Sequence, residues 1–127
     1  MMQLLVTVAR AGAAVKAAGT PPWLRRVLDV LEARFAEPPG LGELAELAGV
    51  HPSHLLRSFR ARQGCSPGEF VRRRRVALVC RRLSDTRDPL AEIALAAGYS
   101  DQSHFCRAFR RAMGITPAAY RTAVSAR

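Results

Sequence analysis

Two stretches of this chain place arginine, serine and short side chains at the same spacing. In residues 49–72, "GVHPSHLLRSFRARQGCSPGEFVR", Ser53, Leu56, Arg57 and Arg60 stand at i, i+3, i+4 and i+7. In residues 98–121, "GYSDQSHFCRAFRRAMGITPAAYR", Ser103, Cys106, Arg107 and Arg110 repeat that spacing. On an α-helix such positions share one face. Guanidinium, hydroxyl and short groups on one helical face suit the edges of base pairs in a major groove. Arg57 and Arg107 have the forked geometry for guanine, and Gln102 could pair with adenine. Leu56 could rest on a thymine methyl, and Ser53 and Ser103 could bond to either kind of base edge. His104, beside Ser103, joins these candidate base readers. Arg60, Arg110 and Arg111 lie further along their helices and suit phosphate, which fixes register without reading sequence. Against each assignment stands the plainer reading of a solvated surface side chain.

Such stripes need helices to carry them, and the sequence supplies them. Trp23, Val27, Val30, Leu31 and Phe35 recur at helical spacing in "PWLRRVLDVLEARFAEPP", and Pro38-Pro39 ends that run. "LGELAELAG" predicts a short helix with Leu41, Leu44, Ala45 and Ala48 inward and Gly49 as a left-handed stop. A second helix follows with Pro52 in its first turn and His51 as a weak cap, and runs to Gly64. "SPGE" reads as a full capping box, with Ser66 at the N-cap, Pro67 at N1 and Glu69 at N3. It launches a long helix. The second half repeats the plan: "PLAEIALAAG" with Ile93, Ala94 and Ala97 inward and Gly98 as stop, then a helix capped by Asp101 and closed by Gly114. Thr116 and Pro117 open a last short helix. The fold class expected is therefore all-α.

Gly49 pairs with Gly98 at an offset of 49, whereas Ser53, His54, Arg57, Phe59, Arg60, Gly64 and Pro67 pair with residues 50 positions later. The second copy thus has one extra residue, in the turn, where insertions are tolerated. A short helix, a glycine-containing turn and a second helix make a helix-turn-helix, here written twice. Val50, Leu55 and Phe59 are expected to face inward in the first copy, and Tyr99, Phe105 and Phe109 in the second. The matched histidines, His54 and His104, are expected half-buried beside them, bonded to backbone or phosphate. In "RRRR", residues 72–75, Arg75 falls on the apolar face with Val71, Val79 and Leu83. A charge there needs a partner, and a carboxylate between the two halves is expected, making Arg75 structural.

The 127 residues suffice for one compact unit or two small ones, and 49% hydrophobic composition argues for a folded chain. The net charge of +10 is uneven: residues 1–56 carry five basic and five acidic side chains, and all the excess follows Leu56. One-sided basicity suits a polyanion. Cys65, Cys80 and Cys106, with three histidines, show no metal-ligand spacing, so no metal or cofactor is expected. No apolar run approaches membrane-spanning length. No positive charge precedes the apolar start of "MMQLLVTVARAGA", so no signal peptide is expected. An enzyme is the weakest reading, since paired carboxylates, a nucleophile with its base and a phosphate-cradling glycine loop are all missing.

"LAELAGVHPSHLLRSFRARQGCSPGEFVRRRRVALVCRRL" followed by "IALAAGYSDQSHFCRAFRRAMGITPAAYR" resembles the DNA-binding domain of the AraC/XylS family of bacterial transcription regulators. The resemblance covers about residues 22–121. It implies seven helices in two helix-turn-helix subdomains, about 41–62 and 90–113, joined by a connecting helix of about 67–84. It also implies one recognition helix in each, about 52–62 and 102–112, entering successive major-groove segments. His51 stands where the family usually has serine, and Leu56 is less polar than in many members. Residues 1–20 read as a tail or linker stub, and 21–127 as the DNA-binding domain. The chain is then either a stand-alone regulator or the C-terminal part of a longer one. The expected partner is double-stranded DNA, bound as a monomer in the cytoplasm, with RNA polymerase as a further partner in activation. Two readers on one chain make the second contact intramolecular, and they would sit roughly 34 Å apart, one turn of DNA. A basic helical module binding nucleic acid without sequence preference is the alternative. It would need exposed aromatics for base stacking, but the aromatics fall on inward positions.

Overall fold

A computed structural model of the chain describes residues 19–125. Most of the tail expected over residues 1–20 lies outside them. The described residues form seven helices and no strands: α1 (Pro22–Ala33), α2 (Leu41–Ala48), α3 (Pro52–Gln63), α4 (Pro67–Asp85), α5 (Leu90–Ala97), α6 (Gln102–Met113) and α7 (Pro117–Ser125). They divide into two compact units. The first holds residues 19–34 and 38–71, the second residues 35–37 and 72–125, and the chain passes from one to the other within α4.

In the first unit α1 packs on α2 and α2 on α3. The core is Leu24, Val27 and Leu31 from α1, Leu44, Ala45 and Ala48 from α2, and Leu55 and Phe59 from α3. Trp23 and Val30, expected inward, are half-buried, and Leu24 takes the central place. Leu41, also expected inward, is exposed. Val27 and Leu31 are buried as expected, and with Leu24 they form the apolar stripe of α1.

In the second unit α5 packs on α6 and α6 on α7. Ile93, Ala94 and Ala97 meet Phe105 and Phe109, all at most 1% exposed. The rings form a chain from Tyr99 through Phe105 and Phe109 to Tyr120, with centroid separations of 5.6, 6.2 and 5.8 Å. Truncating either buried phenylalanine would cost about 3–5 kcal/mol. Gly98 is required twice over. Its φ is +96°, and a Cβ there would meet the carbonyl oxygen of Ala36 at 2.3 Å. Only hydrogen fits.

The long helix α4 begins as its sequence demands. The amide of Glu69 donates to the Ser66 hydroxyl at 3.2 Å, and that hydroxyl donates to the Glu69 carboxylate at 3.2 Å. The second arm of the expected capping box thus reaches the hydroxyl. Within the second unit Val79 and Leu83 are buried, while Arg75 lies between solvent and core.

The end of α1 departs from expectation. The apolar spacing predicts a run as far as Pro38, yet the helix stops at Ala33 and Arg34 leaves helical geometry at φ −119°, ψ 34°. The residues that follow are used differently. The carbonyls of Phe35 and Ala36 accept from Arg75 Nε and Nη2 at 3.0 and 3.2 Å. These carbonyls take the place of the carboxylate expected for Arg75, and both lie in the same unit as Arg75. An uncapped carbonyl pair and a half-buried guanidinium satisfy each other.

Candidate nucleic-acid interface

Each candidate recognition helix is fixed at both ends. For α3 the cap is an imidazole: His51 Nδ1 accepts from the Ser53 amide at 3.1 Å, and Gly64 closes the helix in left-handed geometry. For α6 the cap is a carboxylate: Asp101 Oδ1 accepts from the His104 amide at 2.7 Å. A carboxylate at a helix N-terminus also meets the positive end of the macrodipole. Inside, Leu55 and Phe59 anchor α3 while Phe105 and Phe109 anchor α6.

Burying those residues turns the opposite faces outward. Ser53, Leu56, Arg57 and Arg60 are all exposed on α3. On α6 Gln102, Ser103, His104, Arg107, Arg110 and Arg111 are exposed. Cys106 is not; it is half-buried, so the matched outward stripe is narrower there than the spacing suggests.

Several arginines are used within the fold. Arg34 pairs with Glu43 at 3.2 Å and Arg82 with Asp88 at 3.1 Å. Arg75 holds the Phe35 and Ala36 carbonyls, and Arg121 donates to the carbonyls of Leu83 and Thr86 at 3.4 and 3.3 Å. By contrast, among the described residues no hydrogen bond or ion pair engages the guanidinium of Arg57, Arg60, Arg107, Arg110 or Arg111. Five guanidiniums on two helix faces therefore keep their donors for an outside acceptor. Motif and spacing do not single out Arg121. Its one signal is position: it follows the Pro117 start of α7 by one turn, within reach of the carbonyl end of α4.

The two histidines are exposed rather than half-buried, and each leans on an aromatic ring. His54 lies 5.5 Å from Trp23, centroid to centroid, and His104 meets the Tyr99 ring edge-on at 5.3 Å. Arg75 in turn sits over Tyr99, 5.3 Å from its centroid. Burial pushes the Tyr99 phenol above its ordinary value, with Arg75 and then Arg72 pulling the other way. Neither ring contact is legible as such, since Trp23 reads as core and Tyr99 as an inward turn residue.

Among the described residues no group of three or more His, Cys, Asp or Glu side chains could hold a metal ion. Among them, too, no helix is long and apolar enough to cross a membrane. Cys80 is buried, which pushes its thiol up despite a hydrogen bond from Tyr120. That is the opposite of what a nucleophile needs.

Comparison with known proteins agrees with this geometry. A family model described as a helix-turn-helix domain matches residues 44–123. The regulatory protein SoxS of Salmonella typhimurium is 31% identical over 98 residues, which is 77% of this chain and 92% of SoxS. The C-terminal domain of AraT, a response regulator from Geobacillus stearothermophilus, superposes with a TM-score of 0.75 at 31% identity, covering 81% of this chain and 86% of that domain. The DNA-binding domain of AdpA, solved in complex with a target DNA, gives 0.74 at 28% identity, covering 81% of this chain and 93% of that one. Five other curated relatives are longer, and the chain spans only 27–36% of their length. These proteins are named as transcription regulators. Two helix-turn-helix units with matched outer faces, and a family model spanning most of both, lead to one conclusion: the chain belongs to the AraC/XylS family of helix-turn-helix transcription regulators.

Proposed function

We propose that the chain reads a bipartite site on double-stranded DNA, with α3 and α6 each entering one of two successive major-groove segments. Arg57 and Arg107 take guanine, Gln102 takes adenine, Leu56 covers a thymine methyl, and Ser53, Ser103 and His104 complete the base contacts. Arg60, Arg110 and Arg111 hold phosphates and set register. Asp101 keeps the start of α6 in place, and Arg75 serves structure. The observation that carries this reading is the pair of corresponding exposed stripes whose arginines have no partner among the described residues. One chain engages its site as a monomer, because the second contact is intramolecular once the first is made. The protein works in the cytoplasm on chromosomal DNA, with RNA polymerase as the partner through which it activates.

Selection of bound duplexes from a random pool tests the reading directly. Enrichment of a motif in two parts is expected. With about six to eight phosphates neutralised, log K on the selected duplex should fall with log salt at a slope of roughly −5 to −7. Equal retention of scrambled duplexes would instead mark a basic module without sequence preference. The buried positions of Phe59, Phe105 and Phe109 already speak against base stacking of that kind.

A further inference from the structure

The contacts of the two histidines extend this site. His54 and His104 are each the third residue of their helix, and each is exposed. Each has a ring against it, but the rings come from positions that do not correspond in the repeat. Trp23 belongs to α1, and the residue 50 positions later is Arg73. Tyr99 belongs to the turn before α6, and its counterpart 49 positions earlier is Val50. The duplication therefore does not account for the shared feature. Two unrelated supports have come to the same histidine.

We propose that His54 and His104 both contact DNA, and that each is positioned from outside its own helix: His54 by Trp23, and His104 by Tyr99 beneath Arg75. The proposal rests on the DNA-reading function above, and it adds His54 to the readers and Trp23, Tyr99 and Arg75 as positioning residues. An exposed side chain loses rotamer freedom when it binds. A ring already packed against the imidazole removes part of that loss beforehand. In the second unit the support is itself anchored, because the guanidinium over Tyr99 is forked between the Phe35 and Ala36 carbonyls. An imidazole N–H so held donates to a base acceptor or a phosphate oxygen.

The probe is the duplex recovered from the random pool, with binding measured at a temperature where circular dichroism shows every variant folded. His54→Ala and His104→Ala should each weaken binding roughly tenfold. Trp23→Leu should lose part of what His54→Ala loses, while Trp23→Phe, which keeps a ring, should restore most of that part. The decisive measurements are the double variants. Trp23→Leu with His54→Ala should bind no worse than His54→Ala alone. Arg75→Lys, which keeps charge but loses the flat fork, should likewise add nothing to His104→Ala. Losses that simply add would overturn the positioning roles, and alanine variants that bind like the wild type would overturn the contacts. Repeating the selection distinguishes the acceptors: relaxed preference at one base pair means a base edge, and uniform weakening means phosphate. A wild-type chain that enriches no motif at all would overturn the DNA-reading function itself, a different result from a motif that the histidine variants still bind.

Discussion

The two helix-turn-helix units present nearly the same outer surface on different interiors. Outside, Ser53, Arg57 and Arg60 match Ser103, Arg107 and Arg110 in position and exposure. Inside, α3 rests on Leu55 and Phe59, with Phe59 edge-on to Phe70 at 5.8 Å, whereas α6 sits in a chain of four aromatic rings. The turns differ as well. Gly49 has open space where a Cβ would go, but Gly98 is pressed against the Ala36 backbone. The outer stripe depends on helical spacing alone, so any interior that holds the helix in phase will serve. The second interior is the more constrained of the two, through its turn, its aromatic chain and its cap.

The turn glycines should separate the units most sharply. Gly98→Ala must absorb both a left-handed backbone and a collision with a carbonyl oxygen that its neighbours hold in place. A loss of roughly 2–5 kcal/mol is expected. Gly49→Ala meets only the backbone term, at φ +71° with no atom within 4 Å, and should lose roughly 1–2 kcal/mol. Urea titrations of the two variants give the comparison directly. Equal losses would mean that the Ala36 segment yields, and that the second turn is no tighter than the first.

Next in size are the arginines at the centre of each stripe. Arg107→Ala should cost roughly 1–3 kcal/mol on the selected duplex and relax one base position in its second part. Arg57→Ala should do the same in the first part, within a similar range. Reselection with each variant checks the assignment, because the lost preference must fall in opposite halves of the motif. Loss of equal size on random DNA would move that arginine from base reading to phosphate.

The contrast between shared surface and differing interiors also explains which features are legible in the sequence. Helical periodicity, proline at first turns and glycine at the stops locate every helix, since these are local effects of backbone and spacing. The outward stripes are legible for the same reason, being fixed once the buried face is known. What escapes are the features set by contacts far along the chain. Helix α1 stops at Ala33, well before Pro38, and two of the carbonyls that follow bind an arginine about forty residues away. Charge on an apolar face announces that Arg75 needs a partner, but not that the partner is backbone. Cys106 looks outward by spacing and is half-buried. The two histidines carry no sign of their rings, because Trp23 is thirty-one residues from His54 and sits on another helix.

The caps offer the finest test of the difference between the units. Asp101 presents a full carboxylate to the start of α6, and its 2.7 Å contact with the His104 amide is short, as charge-assisted bonds are. His51 offers a ring nitrogen at 3.1 Å to the start of α3. Asp101→Ala should therefore destabilise the protein by about 1 kcal/mol, within the range for acidic caps. His51→Ala should cost only a few tenths, and His51→Ser should gain a little, because serine is a better cap than imidazole at this position. Both effects are small enough to need side-by-side urea midpoints. Hydrogen exchange at the amides of Ser53 and His104 reports each cap separately. Faster exchange of the Ser53 amide in the His51→Ala variant, with no matching change at His104, would locate the weaker hold in the first unit. The reverse order of stability losses would place the imidazole as the stronger cap and remove one of the three grounds for calling the second interior the more constrained.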